Sequence, residues 1–337
     1  MKHWWWKILG VALLLFASIA GLWVPLSPAL IHVSPDRIAP GHVEISITGY
    51  NTAFGPNESV RLENDGQLVC ATKAFTHDAT HLTAGFLVPD GMRASLTDVV
   101  VGDLRYPDAL FTEGLGKGFA SQECPSDMDT ANSIPPHTGF VFPNRSILYE
   151  SIRNLHFHVP MWFTMITLMG ISVFFSIKTL GSNSMEHDRA AVSAVQVGLL
   201  FCGLGLITGA VWARATWGAF WTNDVKLNGA AVTGLIYLAY LVLRGSVQDA
   251  HKRARLAGIY NIFAFVLLVL FLFVVPRLNA IDSLHPGNGG NSGFNDLDLD
   301  NRLRVIFYPA VLGWVLLGTW MFTLRNRAAR LIETKDP

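Results

Sequence analysis

The chain has 337 residues, of which 51% are hydrophobic and only 15% are charged, and its 25 basic and 25 acidic residues balance. Soluble domains carry about 25% charged residues, so this composition indicates an integral membrane protein. Because the net charge is zero, the composition does not point to an acidic partner such as nucleic acid, and we expect none. The cysteines Cys70, Cys124 and Cys202 form no C-x-x-C pair, which excludes the usual zinc, thioredoxin-like and c-type haem attachment motifs.

The first apolar segment comes after a basic, tryptophan-rich start. Lys2 and Lys7 flank three tryptophans, and residues 8–24 are then uncharged. This segment is at the short end for a membrane span, which needs about 20 residues. It is therefore either a signal peptide or a retained transmembrane helix. We favour the helix, residues 1–29, because three tryptophans suit a membrane anchor. Both interpretations place the next part of the chain outside the cytoplasm.

Residues 30–145 are predicted to be an inserted extracytoplasmic β domain with its linker. Residues 42–48 alternate as a strand does, with one valine and two isoleucines on one face. Turn sequences rich in glycine, proline and aspartate separate weaker strand candidates, which favours a small antiparallel sandwich. Cys70 and Cys124 both lie here, so a disulfide between them is possible on an oxidising side of the membrane. The weaker candidates cover residues 59–62, 67–72, 81–88 and 95–101, and the predicted linker covers 122–143.

Five further apolar segments are long enough to span a membrane. With the first segment they predict six transmembrane helices. The expected fold class is therefore an all-α polytopic membrane protein plus an inserted small all-β, sandwich-like domain. Residues 146–337 would form a five-helix membrane core. The five segments are 159–177, 190–212, 227–243, 256–275 and 305–324.

The distribution of basic residues predicts the orientation. Most lysines and arginines of the short connections fall on one side of the membrane, which the positive-inside rule makes cytoplasmic. The inserted domain, the loop at 217–224 and the segment around His285 then share the outer side. In a bacterium this is the periplasmic side of the inner membrane.

The loop at 217–224 carries two tryptophans and a phenylalanine within five residues. Such a loop is either an interfacial anchor or a platform for a flat ligand. His158 and His285 are predicted at the same membrane face, and imidazole is a usual axial ligand of haem iron. Two histidines beside an aromatic loop favour a haem that is held but exposed, whereas His156 is expected to face a polar surface. Cations for the haem propionates are Arg153, Arg214, Lys226 and Arg277.

Three motifs carry a resemblance to a known family. The sequence W-G-x-F-W-x-x-D-x-K-L at 217–227 resembles the WWD signature of haem-handling proteins of cytochrome c maturation, which usually reads W-G-x-W-W-x-W-D-x-R-L-T. His158-Val159-Pro160 resembles the H-V-P that opens the second helix of the CcmC branch (haem exporter protein C). Leu284-His285 resembles the L-H of that branch's last outer loop. The resemblance covers the first helix and residues from about 146 to 325.

The resemblance implies a haem-binding and haem-transfer protein that is not an enzyme. It would hold haem b transiently at the outer face and deliver it to the periplasmic haem chaperone CcmE. CcmD and the ABC-type subunits CcmA and CcmB would associate with it. His158 and His285 would be the axial ligands of the haem iron. The haem and chaperone platform would comprise Trp217, Gly218, Phe220, Trp221, Asp224 and Lys226.

The loop departs from the family pattern at three positions. Phe220 and Asn223 stand where the family has tryptophan, which removes an indole N–H and aromatic area. Lys226 keeps the charge of the family arginine without its planar fork. These changes put haem grip or chaperone contact in doubt. The resemblance does not cover the inserted domain, for which we hypothesise docking of the chaperone or the apocytochrome.

Two other functions stay open. The alternative is a membrane b-haem electron carrier or quinone oxidoreductase. Such proteins usually bury haem between facing helices, whereas His158 and His285 lie at predicted helix ends. A haem-free receptor or transporter could use the β domain to bind a ligand. The apolar spans hold no clearly charged residue, which counts against ion coupling.

Overall fold

The computed structural model describes residues 4–56, 58–114, 116, 118–124, 139–278, 283–285 and 299–335. The chain divides into two compact units. One is Pro25–Tyr149, and the other comprises Met1–Val24 together with Glu150–Pro337. The boundaries predicted at 29/30 and 145/146 stay predictions. Most of the predicted linker, residues 125–138, lies outside the described residues.

Among the described residues, six helices are long and apolar enough to cross a membrane, so the chain is a multi-pass membrane protein. A 3₁₀ turn precedes α2, and a π-helical turn and a 3₁₀ turn extend α5. The helices are α1 (Trp5–Trp23), α2 (Leu155–Ser182), α3 (Met185–Trp217), α4 (Val225–Ser246), α5 (Ala250–Val269) and α6 (Asn301–Lys335). The turns are Tyr149–Asn154, Leu270–Val274 and Val275–Arg277.

The other unit is built on one eight-stranded sheet with the order β1-β3-β6-β5-β4-β7-β8-β2. All neighbours are antiparallel except β2 and β8. Strands β1 and β8, from opposite ends of this order, also contact each other, so the sheet curves nearly into a barrel. The strands are β1 (Ala29–Ser34), β2 (Arg37–Ile38), β3 (Gly41–Tyr50), β4 (Val60–Asn64), β5 (Gln67–Thr76), β6 (His81–Val88), β7 (Leu96–Val101) and β8 (Leu104–Thr112).

The predicted fold class is wrong in calling the chain all-α, because this sheet is a second major part of the structure. The inserted β domain itself is confirmed. Its strands, however, join in one curved sheet, where the sequence predicted a sandwich. The physical reason is that β1, β2 and β8 extend the sheet at both ends. The natural twist of a long sheet then brings its ends together.

The core of the β unit follows the alternation of its strands. Ile45 and Ile47 of β3 are fully buried and pair with Ala84 and Leu82 of β6, whose side chains are also buried. Side chains on a strand alternate between faces, so a slip of one residue would expose this whole set. The hydrophobic pattern therefore fixes the register of the β3–β6 pair.

The disulfide between Cys70 and Cys124 is confirmed. It joins β5 to a following segment that also bonds to β5 through its backbone and side chains. The Leu68 N–H donates to Ser121 Oγ at 3.0 Å, and the Cys70 N–H donates to Gln122 Oε1 at 2.9 Å. The disulfide therefore holds residues 121–124 along the strand.

We expect the double variant Cys70→Ser/Cys124→Ser to lower the free energy of unfolding of the β unit by about 4 kcal/mol. The disulfide closes a loop of 54 residues, and a loop of that length loses this much chain entropy when it is cross-linked. Hydrogen exchange of the β5 and β6 amides measures the effect. Replacing the buried free thiol of Cys202 by alanine is the control and should leave those amides unchanged.

Polar contacts fix the packing of α2 in the helical unit. The buried Asn261 of α5 donates to Ser172 Oγ at 2.9 Å and to Ser176 Oγ at 2.8 Å on α2. Hydrogen bonds between membrane helices set their register in this way. The expectation that His156 faces a polar surface is wrong, because it is 0% exposed. Its ring packs on Gly21 of α1, where an added Cβ would lie 3.3 Å from His156 Cδ2.

Candidate functional site

His158 lies in the first turns of α2 and faces the last turns of α3. Its Nδ1 atom is 3.1 Å from Thr208 Oγ1. The single hydroxyl proton of Thr208 is donated to the Leu204 carbonyl at 2.7 Å. The hydroxyl oxygen must therefore accept from His158, and Nδ1 carries the imidazole proton. In this tautomer the ring's lone pair is on Nε2, where a metal would bind.

The His158 ring is also held by close packing. Its centroid is 6.3 Å from that of Trp162 and 5.8 Å from that of Trp212, in edge-to-face contacts. On the α3 side the ring rests against Gly209, where an added Cβ would lie 2.6 Å from His158 Cε1. The absence of a side chain at Gly209 is therefore what makes room for the imidazole.

His285 is held by the Asp224 carboxylate. His285 Nδ1 lies 3.0 Å from Asp224 Oδ1, and its ring meets Trp217 edge to face with centroids 5.0 Å apart. A carboxylate accepts and does not donate, so Nδ1 again carries a proton, and the lone pair of the neutral ring is on Nε2. His158 and His285 lie within electrostatic range of each other.

Asp224 has two structural roles. It is the N-cap of α4, where Oδ1 accepts from the Lys226 N–H at 2.8 Å, and its Oδ2 accepts from Ser283 Oγ at 2.7 Å and from the Leu284 N–H at 2.8 Å. Burial alone would raise the pKa of the Asp224 carboxyl. Hydrogen bonds from His285 and Ser283 outweigh burial and hold that pKa well below its usual range. Asp224 is therefore ionised at neutral pH and only 4% exposed.

The tryptophan-rich loop exposes part of its aromatic surface. Gly218 ends α3 with φ +78°, a conformation that glycine adopts without strain. Phe220 is 60% exposed and Trp221 is 44% exposed. Trp221 Nε1 donates to Asn228 Oδ1 at 3.3 Å, and Asn228 in turn donates to Asn223 Oδ1 at 2.8 Å. Asn223, where the family has tryptophan, thus belongs to a polar chain that braces the loop.

Three of the expected propionate partners also serve the protein's own backbone. Arg153 pairs with Glu150 at 2.5 Å and donates to the carbonyl of Val24, the C-cap of α1, at 2.6 Å. Arg277 donates to the Phe273 carbonyl at 2.9 Å. Arg214 donates to the Gly218 carbonyl and lies over the Phe220 ring, 5.9 Å from its centroid. Arg214 is thus the arginine placed beside the exposed aromatic residues.

Two imidazoles, each held through Nδ1, form the donor set that bis-histidine haem ligation requires, so the residues present fit a haem. Comparison with known proteins points the same way. Residues 144–281 match the cytochrome C assembly proteins. This match confirms the resemblance inferred from the three motifs. It includes His158 and the loop at 217–224, and it ends four residues before His285.

Curated relatives with one name agree with this match. Heme exporter protein C of Haemophilus influenzae is 26% identical over 187 residues, which are 55% of this chain and 73% of the relative. Heme exporter protein C of Bradyrhizobium diazoefficiens is 24% identical over 180 residues, 53% of this chain and 68% of the relative. The Paracoccus denitrificans protein of that name is 28% identical over 192 residues, which are 56% of this chain and 77% of the relative.

Two residues of the candidate site could not be found from the sequence. Thr208 fixes the tautomer of His158, and Gly209 makes room for its ring. Both lie on α3, about 50 residues along the chain from His158. A threonine and a glycine in an apolar helix read as ordinary packing residues, so only the contact between α2 and α3 identifies them.

Proposed function

We propose that this chain binds haem b transiently between His158 and His285 and delivers it to the haem chaperone CcmE. The coarser part of the proposal, a role in haem handling and cytochrome c maturation, follows from the names of its relatives and their family. The chain would act as a transport and maturation component. We include no bond-making chemistry in its role.

The observation that carries the proposal is that each of the two imidazoles has a hydrogen-bond acceptor at Nδ1, which leaves its Nε2 atom to bind a metal. Thr208 accepts from Nδ1 of His158, and Asp224 accepts from Nδ1 of His285. Partners of this kind orient metal-binding histidines and raise their basicity. Two histidines whose Nδ1 atoms are held in this way support axial ligation of an iron between them.

The loop supports the transfer step. Trp217 contacts His285, while Phe220 and Trp221 present aromatic surface beside Arg214. We propose that these aromatic rings contact the porphyrin face and that Arg214 pairs with a propionate. Gly218 allows the loop to turn, and Lys226 adds positive charge at the start of α4.

We place the loop, His285 and the inserted domain on the periplasmic side of a bacterial inner membrane. The excess of lysine and arginine in the opposite connections supports this orientation. The partners proposed by resemblance are CcmE, CcmD and the ABC-type CcmA and CcmB. None of these proposals requires a nucleotide site in this chain.

The His158→Ala/His285→Ala variant tests the ligand assignment. We expect the purified wild-type protein to show the low-spin absorption spectrum of a bis-histidine b-type haem. Each single variant should lose that low-spin spectrum, and the double variant should lose bound haem, because no axial ligand remains. His251→Ala, which changes a histidine at the start of α5, is the matched control.

A normal haem spectrum in the double variant would contradict the ligand assignment. Fast, reversible reduction of the bound haem by quinol would instead favour an electron carrier. Cytochrome c content of cells that carry each variant gives the second readout and should fall with haem occupancy.

The inserted domain is proposed to dock the chaperone or the apocytochrome. Deleting residues 31–140 should preserve haem loading, since the candidate ligands lie outside the β unit, Pro25–Tyr149. Cytochrome c levels should fall severalfold. Unchanged cytochrome c levels in cells with the deletion would contradict docking by this domain.

A further inference from the structure

His158 and His285 are held by different kinds of structure. The His158 ring is enclosed between two long helices, α2 and α3, by Thr208, Gly209 and Trp212. His285 belongs to the non-helical segment 283–285. The His158 ring is therefore confined by the packing of two helices, whereas the His285 ring is held by contacts of non-helical residues with Asp224 and Trp217.

Three hydrogen bonds from the described residues of segment 283–285 go to one carboxylate. Asp224 Oδ2 accepts from Ser283 Oγ and from the Leu284 N–H, and Oδ1 accepts from His285 Nδ1. The distances are 2.7, 2.8 and 3.0 Å. Asp224 itself stays fixed, because it caps α4 and is buried. Asp224 thus anchors the segment to the helical unit.

We propose that Asp224 positions His285 as the releasable haem ligand, while His158 is the fixed one. This inference rests on the proposed function. With segment 283–285 bonded to Asp224, both imidazoles bind the iron. When the segment leaves Asp224, Nε2 of His285 withdraws with its lone pair, and a ligand from the haem acceptor takes the vacated position. The oxidation state of the iron does not change in this exchange.

The Asp224 carboxylate affects His285 in two ways, and both effects would be lost in one step when the segment is released. Hydrogen bonds to an ionised carboxylate are stronger than those between neutral groups. A carboxylate partner also makes the imidazole a better iron ligand. Both contributions vanish together when the segment leaves, because they depend on the same side chain. His158, bonded to the neutral Thr208, keeps its place through ring packing.

The variant Asp224→Asn separates the two roles of the residue. Asparagine caps helices as well as aspartate does, so α4 keeps its N-cap. Its amide, however, lacks the charge and has one acceptor oxygen in place of two, so the three donors of segment 283–285 cannot all be satisfied. The effect on His285 can therefore be measured without loss of the helix.

The experiment uses the purified full chain loaded with haem, with excess apomyoglobin as the acceptor. We expect Asp224→Asn to speed haem transfer by about tenfold or more, the range found for partners of metal-binding histidines. The absorption spectrum should change from low-spin to high-spin. Added imidazole should restore the low-spin spectrum, because it occupies the position that His285 has left. A general loss of structure would not respond to imidazole.

Two further variants are matched to this one. Thr208→Val keeps the shape of the side chain but removes the hydroxyl bonded to His158 Nδ1, and its effect on the transfer rate should be smaller than that of Asp224→Asn, because packing against Trp162 and Trp212 still holds the ring. Ser283→Ala removes one donor to Asp224 and should give a smaller increase than Asp224→Asn.

An Asp224→Asn protein with the wild-type transfer rate would overturn the inference. So would a Thr208→Val effect as large as that of Asp224→Asn. If Asp224→Asn does not fold, Ser283→Ala decides, and an unchanged rate in that variant overturns the inference. Failure of the proposed function is a separate result, namely bound haem that survives replacement of both His158 and His285.

Discussion

Replacing Asp188 by alanine is expected to lower the free energy of unfolding of the helical unit by about 3–5 kcal/mol, because it strands a buried charge. Asp188 of α3 and Arg244 of α4 form a bidentate pair with N–O distances of 2.6 and 2.7 Å. Their side chains are only 7% and 12% exposed. Without Asp188, the guanidinium keeps its desolvation cost and loses its counter-charge.

The double variant Asp188→Leu/Arg244→Met is the matched control. A buried ion pair can often be replaced by apolar side chains of similar volume at little cost. We therefore expect this variant to recover most of the stability that Asp188→Ala loses. Detergent unfolding followed by tryptophan fluorescence measures the helical unit alone, because no tryptophan lies in residues 25–149. Equal losses in the single and double variants would contradict this account of the pair.

The helices were predictable because each is a long uncharged run with polar ends. The five segments predicted after the inserted domain all fall within observed helices. The buried ion pair between Asp188 of α3 and Arg244 of α4 was not predictable in the same way. Asp188 and Arg244 each lie just beyond an apolar run and read as ordinary flanking charges. Only the antiparallel packing of the two helices turns them into a buried pair.

The sequence predicted that a β unit is present, but it did not predict that the strands join in one nearly closed sheet. Strong alternation in β3 identified that strand, whereas β8 contains Pro107, which breaks the usual strand pattern. The structure accommodates this proline at an irregularity between Thr97 and Val99 of β7, where the Asp108 N–H donates to Asp98 Oδ1 at 2.8 Å. Irregular pairing of this kind depends on the partner strand, so a single strand's sequence does not reveal it.

At the candidate site, motifs led to the histidines and to Asp224, but not to what Asp224 contacts. Its place in the loop motif grouped it with Trp217 and Trp221 as part of a platform. In the structure it is buried and bonded to segment 283–285, about 60 residues along the chain. The role of a carboxylate follows from the donors that surround it, and these come from a distant part of the sequence. Its function in haem handling stays a prediction.

Replacing Gly209 by alanine is expected to lower haem occupancy by about tenfold or more, the scale of effect found when the support of a metal-binding histidine is lost. The new Cβ would lie 2.6 Å from His158 Cε1 and 3.4 Å from Nε2, and the first distance is closer than carbon atoms pack. The ring must turn away from α3. Nδ1 then leaves Thr208, and Nε2 moves from the position in which we propose that it binds iron.

Gly203→Ala is the control for this variant because it lies on the same helix and an added Cβ meets nothing within 4 Å. Both changes favour the helix by about 0.5–1 kcal/mol, since alanine loses less backbone entropy than glycine. Global stability should therefore rise slightly or stay constant in Gly203→Ala, with a normal haem spectrum. Loss of haem in Gly209→Ala alone would locate the effect at the His158 ring. Equal haem content in the two variants would instead mean that His158 tolerates displacement, and the ligand assignment would have to change.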